Sequence, residues 1–234
     1  MVIEKSIRIV MKKAIFLLLL IFTGQYLDAE EKNHEIWWEK CIGNQISWEQ
    51  FYRMSGDEND DLRAAIKNHV LQKDYASFLD CGCGMCVDFW NIIFSKPEID
   101  YLGVDITQKF VDRANDLGIK ALKGSVENIP VQNNQFEVSF CRHVLDHLDY
   151  YQKAIDELIR VAQKEVIIVF LFEPGNQKDE INSMQFYGYD RFYNRYNKSK
   201  LESFVLNNPK VKSLHWNKVN KNNTILHIEL ITQN

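Results

Sequence analysis

The chain has 234 residues, of which 46% are hydrophobic, 26% charged and 12% aromatic, and it contains only 10 glycines and 4 prolines. This is the composition of a globular protein, and it excludes collagen-like, low-complexity and wholly disordered classes. Because 28 basic residues stand against 32 acidic ones, the chain lacks the basic excess that drives binding to nucleic-acid phosphates, and we expect no nucleic-acid partner.

The first predicted element is a targeting segment at residues 1–29. Four basic residues precede an apolar run of nine residues at 14–22, Thr23 and Gly24 follow it, and Ala29 is a small residue that fits a peptidase pocket. This order is typical of a signal peptide, whose apolar helix is shorter than the roughly 20 residues that span a bilayer. The alternatives are a membrane anchor, an apolar helix that packs on the domain, and a translation start at Met11. The domain is accordingly cytoplasmic, membrane-associated or exported.

Residues 30–75 are predicted to form a helical cap. Tryptophans supply apolar bulk in its first half: Trp37, Trp38 and Trp48. An aspartate at position 60 or 61 caps a later helix. The apolar stripe of that helix contains Leu62, Ala65, Ile66, His69 and Val70.

The domain at residues 76–234 begins with alternating strand and helix patterns. Strands are predicted at 76–80, 101–105, 136–141 and 166–172, with a shorter, more polar strand at 120–123 near a sheet edge. Helices are predicted at 86–94, 108–117 and 150–162, the last opened by a capping box of Asp149 and Gln152. This alternation predicts a parallel sheet.

The carboxyl-terminal part is predicted to end in a hairpin. Ser199 with Glu202 caps a helix, and strand-like runs follow at 211–219 and 224–231, with a turn at 220–223 between them. The second run is too apolar for a free edge strand, so the hairpin should extend the parallel sheet.

A glycine loop follows the first strand of this domain. Asp80 ends the strand, and Gly82 and Gly84 lead into the next helix. The neighbouring strand ends at Asp105, 25 residues after Asp80. Both acids should lie at the carboxyl edge of the sheet, where the strand order reverses and where a carboxylate can hold two ribose hydroxyls.

Two classes of nucleotide cofactor fit such a loop. The dinucleotide fingerprint G-x-G-x-x-G requires glycine at the position of Val87, and Asp80 beside the loop would repel a pyrophosphate. The loop therefore favours a ligand that carries an ammonium group and no phosphate.

Over roughly residues 74–174 the sequence resembles class I S-adenosylmethionine-dependent methyltransferases, most closely the small type 11 group. The matching segments follow in family order: the acid-x-Gly-x-Gly loop at 80–84, the ribose-binding acid Asp105, the adenine-bordering segment at 124–130, the fourth strand with its loop at 136–148, and Glu173-Pro174. The resemblance implies an α/β, Rossmann-like class I methyltransferase fold. That fold is a mostly parallel seven-stranded sheet with an antiparallel carboxyl-terminal hairpin strand, here preceded by the helical cap.

The resemblance implies S-adenosylmethionine as the cofactor. It assigns cofactor binding to nine residues: Asp80, Gly82, Cys83, Gly84, Asp105, Ile106, Ser125, Val126 and Arg142. Two positions depart from the family. Cys86 replaces a third glycine and adds a side chain where the loop approaches the methionine moiety. Ser125 replaces an acid that contacts the adenine amino group, so cofactor binding is expected to be weaker or altered.

The resemblance also implies in-line attack by a substrate nucleophile on the sulfonium methyl group, with an unidentified small molecule as the acceptor. His143, in the loop after the fourth strand, is the candidate general base. The alternative is that His143 and His147 pack or cap, that Asp146 is a helix cap, and that Arg142 holds an acidic substrate or faces solvent.

An aromatic segment at residues 186–196 is predicted either to line the substrate pocket or to form a helix-and-loop cover. Together with the tryptophans of the helical cap, it suggests a lid over the cofactor.

Two other functions stay open. A catalytically inactive methyltransferase-like binding module is suggested by Cys86, Ser125 and the signal-like segment, and a nicotinamide-dependent oxidoreductase is the third alternative. No metal site is predicted. Three thiols lie within six residues, at Cys81, Cys83 and Cys86, but no fourth ligand follows at the usual spacing.

Overall fold

The computed structural model describes residues 33–42, 60–175, 177–186, 189–221 and 223–232. The targeting segment at 1–29 and Trp48 lie outside these residues, so their predicted roles stay predictions. Among the described residues, no helix has the length and apolar character needed to cross a membrane.

A seven-stranded sheet forms the centre of the domain. Its strands are β1 (Ser77–Cys81), β2 (Asp100–Asp105), β3 (Ala121–Lys123), β4 (Phe136–Arg142), β5 (Ala162–Phe170), β8 (Val211–Lys218) and β9 (Thr224–Leu230). Their spatial order is β3-β2-β1-β4-β5-β9-β8. Strands β1 to β5 run parallel, and β9 pairs antiparallel with both β5 and β8. The predicted sheet, extended by an antiparallel hairpin strand, is therefore confirmed.

The central strands are apolar on both faces because helices cover the two sides of the sheet. The last four residues of β1 and the last six residues of β5 are buried. β3 has one buried and two exposed residues and lies at the sheet edge, as its polar sequence predicted. Hydrophobic clusters on each face of the sheet form the core.

Helices connect and flank the strands. They are α1 (Asn33–Ile36), which continues as a π-helix at Trp37–Ile42, α2 (Asp60–Lys73), α3 (Val87–Ile93), α4 (Gln108–Asp116), α5 (Gln152–Val161) and α6 (Lys198–Leu206). The predicted stripe of α2 is confirmed, because Leu62, Ile66 and Val70 are fully buried in one of the two core clusters. A short 3-10 turn at Leu145–His147 follows β4.

Two predicted helix caps are wrong. The capping box at Asp149 does not form, because α5 begins at Gln152 and the Asp149 carboxylate accepts a hydrogen bond from the Tyr150 N–H at 2.9 Å. For α6 the cap is Asn197 and not Ser199, since the Asn197 side chain accepts from the Lys200 N–H at 2.8 Å. Asparagine is as good a capping residue as serine, so composition alone did not separate the two positions.

The aromatic segment forms a hairpin, so the predicted helix-and-loop cover is wrong. β6 (Ser183–Phe186) pairs antiparallel with β7 (Tyr189–Phe192) in a separate two-stranded sheet. Aromatic residues favour strands, and the sequence Tyr187-Gly188, with its glycine, is a hairpin signal.

Candidate functional site

A cavity of about 350 Å³ lies at the carboxyl ends of β1, β2 and β4. The strand order reverses at β1, and such a switch point opens a crevice between the connecting loops. All ten residues that the sequence assigned to the cofactor site and to catalysis line this one cavity: Asp80, Gly82, Cys83, Gly84, Asp105, Ile106, Ser125, Val126, Arg142 and His143.

Asp105 fixes the glycine loop against the end of β2. Its carboxylate oxygens accept hydrogen bonds from the N–H groups of Gly84 and Thr107, each at 2.8 Å. Burial raises the pKa of Asp105, and those two N–H groups oppose the rise. Each carboxylate oxygen has two acceptor sites, so both oxygens can accept a further hydrogen bond from a ligand in the cavity.

The rest of the loop is also held by backbone hydrogen bonds. The N–H groups of Gly82 and Cys83 donate to the Val104 carbonyl at 2.7 and 3.1 Å. These amides, with that of Gly84, are therefore used within the protein. In a dinucleotide-binding fold, loop amides and the following helix terminus bind the pyrophosphate instead.

Asp80 is buried beside the loop. Its carboxylate accepts a hydrogen bond from the Tyr101 hydroxyl at 2.6 Å. Burial, followed by repulsion from Asp88, raises the pKa of Asp80 to about 8. A cationic ligand group next to Asp80 would therefore promote ionisation of its carboxyl group.

Asp88 and Arg142 form a buried ion pair at the cavity wall, with Arg142 Nη2 3.1 Å from Asp88 Oδ2. Among the described residues, Arg142 Nη1 and Asp88 Oδ1 have no hydrogen-bond partner. Leaving buried polar atoms unpaired costs about 1–3 kcal/mol each, so both are suited to bind a polar ligand.

Acidic residues outnumber basic residues in the cavity lining. Glu35, Asp80, Asp88 and Asp105 stand against Arg142, but Asp88 is ion-paired with Arg142, and Asp80, with a pKa of about 8, is protonated at pH 7. Such a site attracts a ligand that carries positive charge and repels a pyrophosphate.

Cys86 turns away from the cavity. Its φ angle is 51°, in the left-handed region that favours glycine, in agreement with the third glycine that the family resemblance implies at this position. Its side chain is fully buried and is not among the residues that line the cavity. The Sγ atom instead lies 3.5 Å from where a Cβ at Gly103 would be. The substitution therefore strains the backbone and leaves the cavity open.

The segment after β3 forms another part of the wall through Gly124, Ser125 and Val126. The N–H of Gly124 donates to the Asp105 carbonyl at 2.9 Å. A Cβ at Gly124 would lie 2.5 Å from Cδ of Pro130, so glycine is required for this close approach. The Ser125 hydroxyl accepts from the Glu127 N–H at 3.2 Å and keeps its own proton for a ligand.

His143 lies on the cavity wall directly after β4. The ring Nε2 of His143 is 2.7 Å from Asn223 Oδ1, and the backbone N–H of His143 donates to the Val169 carbonyl. Burial, followed by the charge of Arg142, lowers the pKa of His143 to about 3, so its imidazole is neutral at pH 7. When Nε2–H donates to the amide oxygen of Asn223, Nδ1 is left as the acceptor.

Asp146 and His147 stabilise the loop that carries His143. The buried carboxylate of Asp146 accepts from the N–H groups of Leu171 and Phe172 at 3.2 and 3.3 Å, so Asp146 joins the loop after β4 to the end of β5. His147 lines the cavity, and its Nδ1–H donates to the Phe192 carbonyl at 2.8 Å. A packing role for His147 agrees with these contacts. The alternative that Asp146 is a helix cap is wrong, because Asp146 lies within the short 3-10 turn and its carboxylate accepts from N–H groups after β5.

The residues of the predicted lid form two layers, one that lines the cavity and one that packs behind it. Trp38 lines the cavity together with Glu35, and the Trp38 ring lies 5.4 Å from the His147 ring. Behind it, the Arg191 guanidinium of β7 lies 4.7 Å from the Trp37 ring centroid. Among the described residues of the β6–β7 hairpin, none lines the cavity, so the hairpin supports the wall from outside.

Sequence reasoning missed three polar residues of the cavity: Glu35, Asp88 and Asn223. Glu35 and Asn223 come from the two ends of the described chain, and no local pattern connects them to the loop. Asp88 had a signal, since it is an acid in the first turn of the helix that follows the glycine loop.

The sequence and the fold were compared with known proteins. Residues 79–170 match a family model described as "Methyltransferase domain". An uncharacterized protein of Methanocaldococcus jannaschii, MJ0638, is 26% identical over 52% of this chain and 52% of its own length. The uncharacterized methyltransferase YcgJ of Bacillus subtilis is 25% identical over 46% of this chain and 44% of its own length. The chain thus spans about half the length of these curated relatives.

Solved structures share the fold. SAM-bound CalS10, an amino pentose methyltransferase from Micromonospora echinaspora, aligns with a TM-score of 0.59 and 11% identity, covering 79% of this chain and 96% of that chain. The class I methyltransferase resemblance predicted from residues 74–174 is confirmed by the family match and by this fold.

Proposed function

From the premise that residues 79–170 form a methyltransferase domain of the class I fold, we propose that the protein binds S-adenosylmethionine in the cavity and transfers its methyl group to a small-molecule acceptor. S-adenosylmethionine is the cofactor that this family uses. The proposal extends that property to this chain and adds the chemical class of the acceptor.

The observation that carries the proposal is the position of Asp105. Its carboxylate faces the cavity at the end of β2 while the Gly84 N–H donates to it, so the amide that would bind a pyrophosphate is occupied. This arrangement suits a nucleoside whose ribose hydroxyls donate to Asp105. It argues against the nicotinamide alternative, whose pyrophosphate would meet acidic residues and loop amides that already donate within the protein.

The remaining polar groups match the methionine end of the cofactor. Asp80 would hold the ammonium group, and Arg142 Nη1, unpaired among the described residues, would hold the carboxylate. Ser125 and Val126 would border the adenine. The positive sulfonium group would be stabilised by the negative lining of the cavity.

The protein's own residues would position the acceptor and exclude water from it. Bound S-adenosylmethionine supplies a methyl group that a nucleophile can attack in line. Apolar side chains of Trp38, Leu148 and Leu171 line the cavity and limit the access of water. His143 Nδ1 would accept a hydrogen bond from an N–H or O–H of the acceptor. Because its pKa is about 3, it orients the nucleophile better than it removes the proton.

A small acceptor is supported by the surroundings and the charge of the site. The cavity is flanked by the α1 segment, and the chain has a net charge of −4. Neither feature suits a nucleic-acid phosphate backbone. The structural neighbour CalS10 is named as a methyltransferase for an amino pentose, which is an acceptor of this class.

Methyl transfer can be tested with methyl-labelled S-adenosylmethionine. The full chain is incubated with labelled cofactor and separate pools of small amines, small alcohols, protein and RNA, and the products are divided by ultrafiltration. We expect label in the low-mass products of a small-molecule pool, with formation of S-adenosylhomocysteine. Label only on protein or RNA would contradict the proposed acceptor class. Cofactor binding without transfer to any pool would favour the inactive binding module.

The affinity for S-adenosylmethionine should depend on pH through Asp80. Because the pKa of this carboxyl group is about 8 in the free protein, it is protonated below pH 8 and must release its proton to hold the ammonium group. Affinity should therefore rise by up to about tenfold per pH unit from pH 6 towards pH 8 and fall above it, where the α-amino group of the cofactor loses its own proton. Calorimetry in buffers of different ionisation heat would count the released proton.

Asp80→Asn should bind more weakly at pH 8 and lose this pH dependence. Asp116→Asn, a change to an exposed acid at the end of α4, serves as the control and should keep it. A full pH slope in Asp80→Asn would assign the proton to another group.

A further inference from the structure

A cluster of three side chains lies well away from the cavity. His69 is on α2, Glu165 near the beginning of β5, and His227 on β9. The cavity is at the other end of β5, where Leu171 lines it, about 20 Å from Glu165 at the rise of an extended strand. The proposed methyl transfer does not use this cluster.

The ring nitrogens of both histidines point at one carboxylate. His69 Nε2 lies 2.8 Å from Glu165 Oε2 and 3.1 Å from Oε1, and His227 Nδ1 lies 2.8 Å from Oε1. One atom from each of the three residues can be chosen so that all lie within 4.8 Å of one another. In the described part of the chain, no other group of histidine, cysteine and carboxylate side chains has this arrangement.

Glu165 is an ionised carboxylate in the interior. Its side chain is 2% exposed. Burial acts to raise its pKa, but hydrogen bonds from His227, His69 and Tyr75 lower the pKa of Glu165 to about 2. Two imidazoles and one carboxylate therefore face each other, which is a donor set that divalent transition metals prefer.

We propose that His69, Glu165 and His227 bind one divalent transition-metal ion of the zinc class. Zinc binds histidine nitrogen and carboxylate oxygen at about 2.0–2.2 Å in tetrahedral sites, so its ligand atoms are about 3.4 Å apart. The contacts of 2.8 and 3.1 Å would open by about 0.3–0.6 Å, and the widest separation of the ligand atoms, within 4.8 Å, would close towards about 3.4 Å. Each imidazole would carry its proton on the nitrogen that does not bind the metal.

The surroundings fit such a site. The Tyr75 hydroxyl donates to Glu165 Oε2 and would orient the carboxylate from outside the ligand set. The His69 side chain is 17% exposed, which gives an ion and a water ligand a route from solvent. A bound metal ion would link α2 to β5 and β9 and so stabilise the packing of α2 on this face of the sheet.

The test uses the full chain after treatment with a chelator. Zn²⁺ is titrated by calorimetry, and Co²⁺ is added as an absorbing probe of the ligands. We expect one ion per chain, a Co²⁺ spectrum without thiolate charge-transfer bands, and a rise in Tm on addition of Zn²⁺. The buried thiols at Cys83 and Cys86 are the competing site, and binding there would produce those bands.

His69→Gln should lower the affinity for Zn²⁺ by at least about tenfold and abolish the rise in Tm. Because His69 is partly exposed, this variant should fold, and its metal-free Tm checks that it does. His215→Gln is the matched control, since the His215 ring stacks on His227 at 4.5 Å but lies outside the ligand set. His215→Gln should keep the site.

Glu165→Gln provides a second variant that removes the charge and keeps the shape. We expect this variant to lose the metal ion. Its amide side chain can still form hydrogen bonds with the imidazoles of His69 and His227. The proposal is overturned by the absence of stoichiometric binding in the wild-type protein, by a thiolate band, or by unchanged affinity in His69→Gln. In any of these cases the cluster is a buried hydrogen-bond network only.

Discussion

Asp105→Asn is expected to weaken binding of S-adenosylmethionine by at least about 100-fold. The carboxylate can accept hydrogen bonds from two ribose hydroxyls while it holds the N–H groups of Gly84 and Thr107. Hydrogen bonds to a charged acceptor contribute about 1.5–3 kcal/mol each, so the loss of two is about 3 kcal/mol or more. The amide keeps only one acceptor oxygen, and its NH₂ group must face one of those backbone donors.

The effect on folding should be smaller than the effect on binding, because two contributions oppose each other. Burial raises the pKa of Asp105, so neutral asparagine removes the cost of a buried negative charge, while the backbone N–H that loses its acceptor costs about 1–3 kcal/mol. Calorimetric titration of the folded variant gives the affinity, and the Tm without ligand checks the fold. Asp116→Asn is the exposed control on α4. An Asp105→Asn affinity within tenfold of the wild-type value would contradict the assignment of the ribose site.

Gly82→Ala is expected to lower the free energy of unfolding by about 2–5 kcal/mol and to impair the cofactor loop. The φ angle of Gly82 is +77°, where a residue with a Cβ is strained by about 1–2 kcal/mol. A Cβ there would also lie 2.3 Å from Cγ2 of Val144, and such overpacking costs about 1–3 kcal/mol. Denaturant unfolding measures the sum.

The chain offers a matched control in Gly118→Ala. Gly118 has the same φ of +77° but no atom within 4 Å of an added Cβ, so only the backbone strain of about 1–2 kcal/mol applies. Adding Val144→Ala to Gly82→Ala should recover the steric part of the loss, which a double-mutant cycle isolates. Equal losses in Gly82→Ala and Gly118→Ala would show that Val144 does not press on the loop.

Residues that follow parallel strands were predictable from the sequence. Asp80, Asp105 and Arg142 come at or near the ends of β1, β2 and β4, and parallel neighbouring strands end at the same edge of a sheet. The regular alternation of strand and helix fixes that geometry, so these side chains had to converge. The ordered family motifs then supplied the cofactor class.

Residues brought together by tertiary packing were not predictable. Asn223 reaches His143 only because the β8–β9 hairpin extends the sheet beside β5, and the two residues are 80 positions apart. His69 and His227 each lie on a predicted element, but they meet Glu165 across 96 and 62 positions, and no metal-ligand spacing marks them. A sequence pattern cannot predict such pairs, because strand register and helix packing depend on contacts throughout the core.

Neighbouring residues with similar local preferences explain why the helix caps and the hairpin were predicted wrongly. Asn197 and Ser199 are both good capping residues, and the backbone adopts its extended cap conformation at Asn197, with φ −69° and ψ 119°. For the aromatic segment at 186–196 we predict a pocket lining or a helix-and-loop cover, whereas its strand preference together with Gly188 favours a turn between two strands.

The most direct test of the cofactor assignment is a pair of calorimetric titrations of the full wild-type chain, one with S-adenosylmethionine and one with NAD⁺. The geometry around Asp105 and the negative lining of the cavity predict saturable binding of one S-adenosylmethionine per chain, with NAD⁺ at least about 100-fold weaker. Folded protein that binds no S-adenosylmethionine, or that binds NAD⁺ more tightly, would contradict the assignment of this cavity.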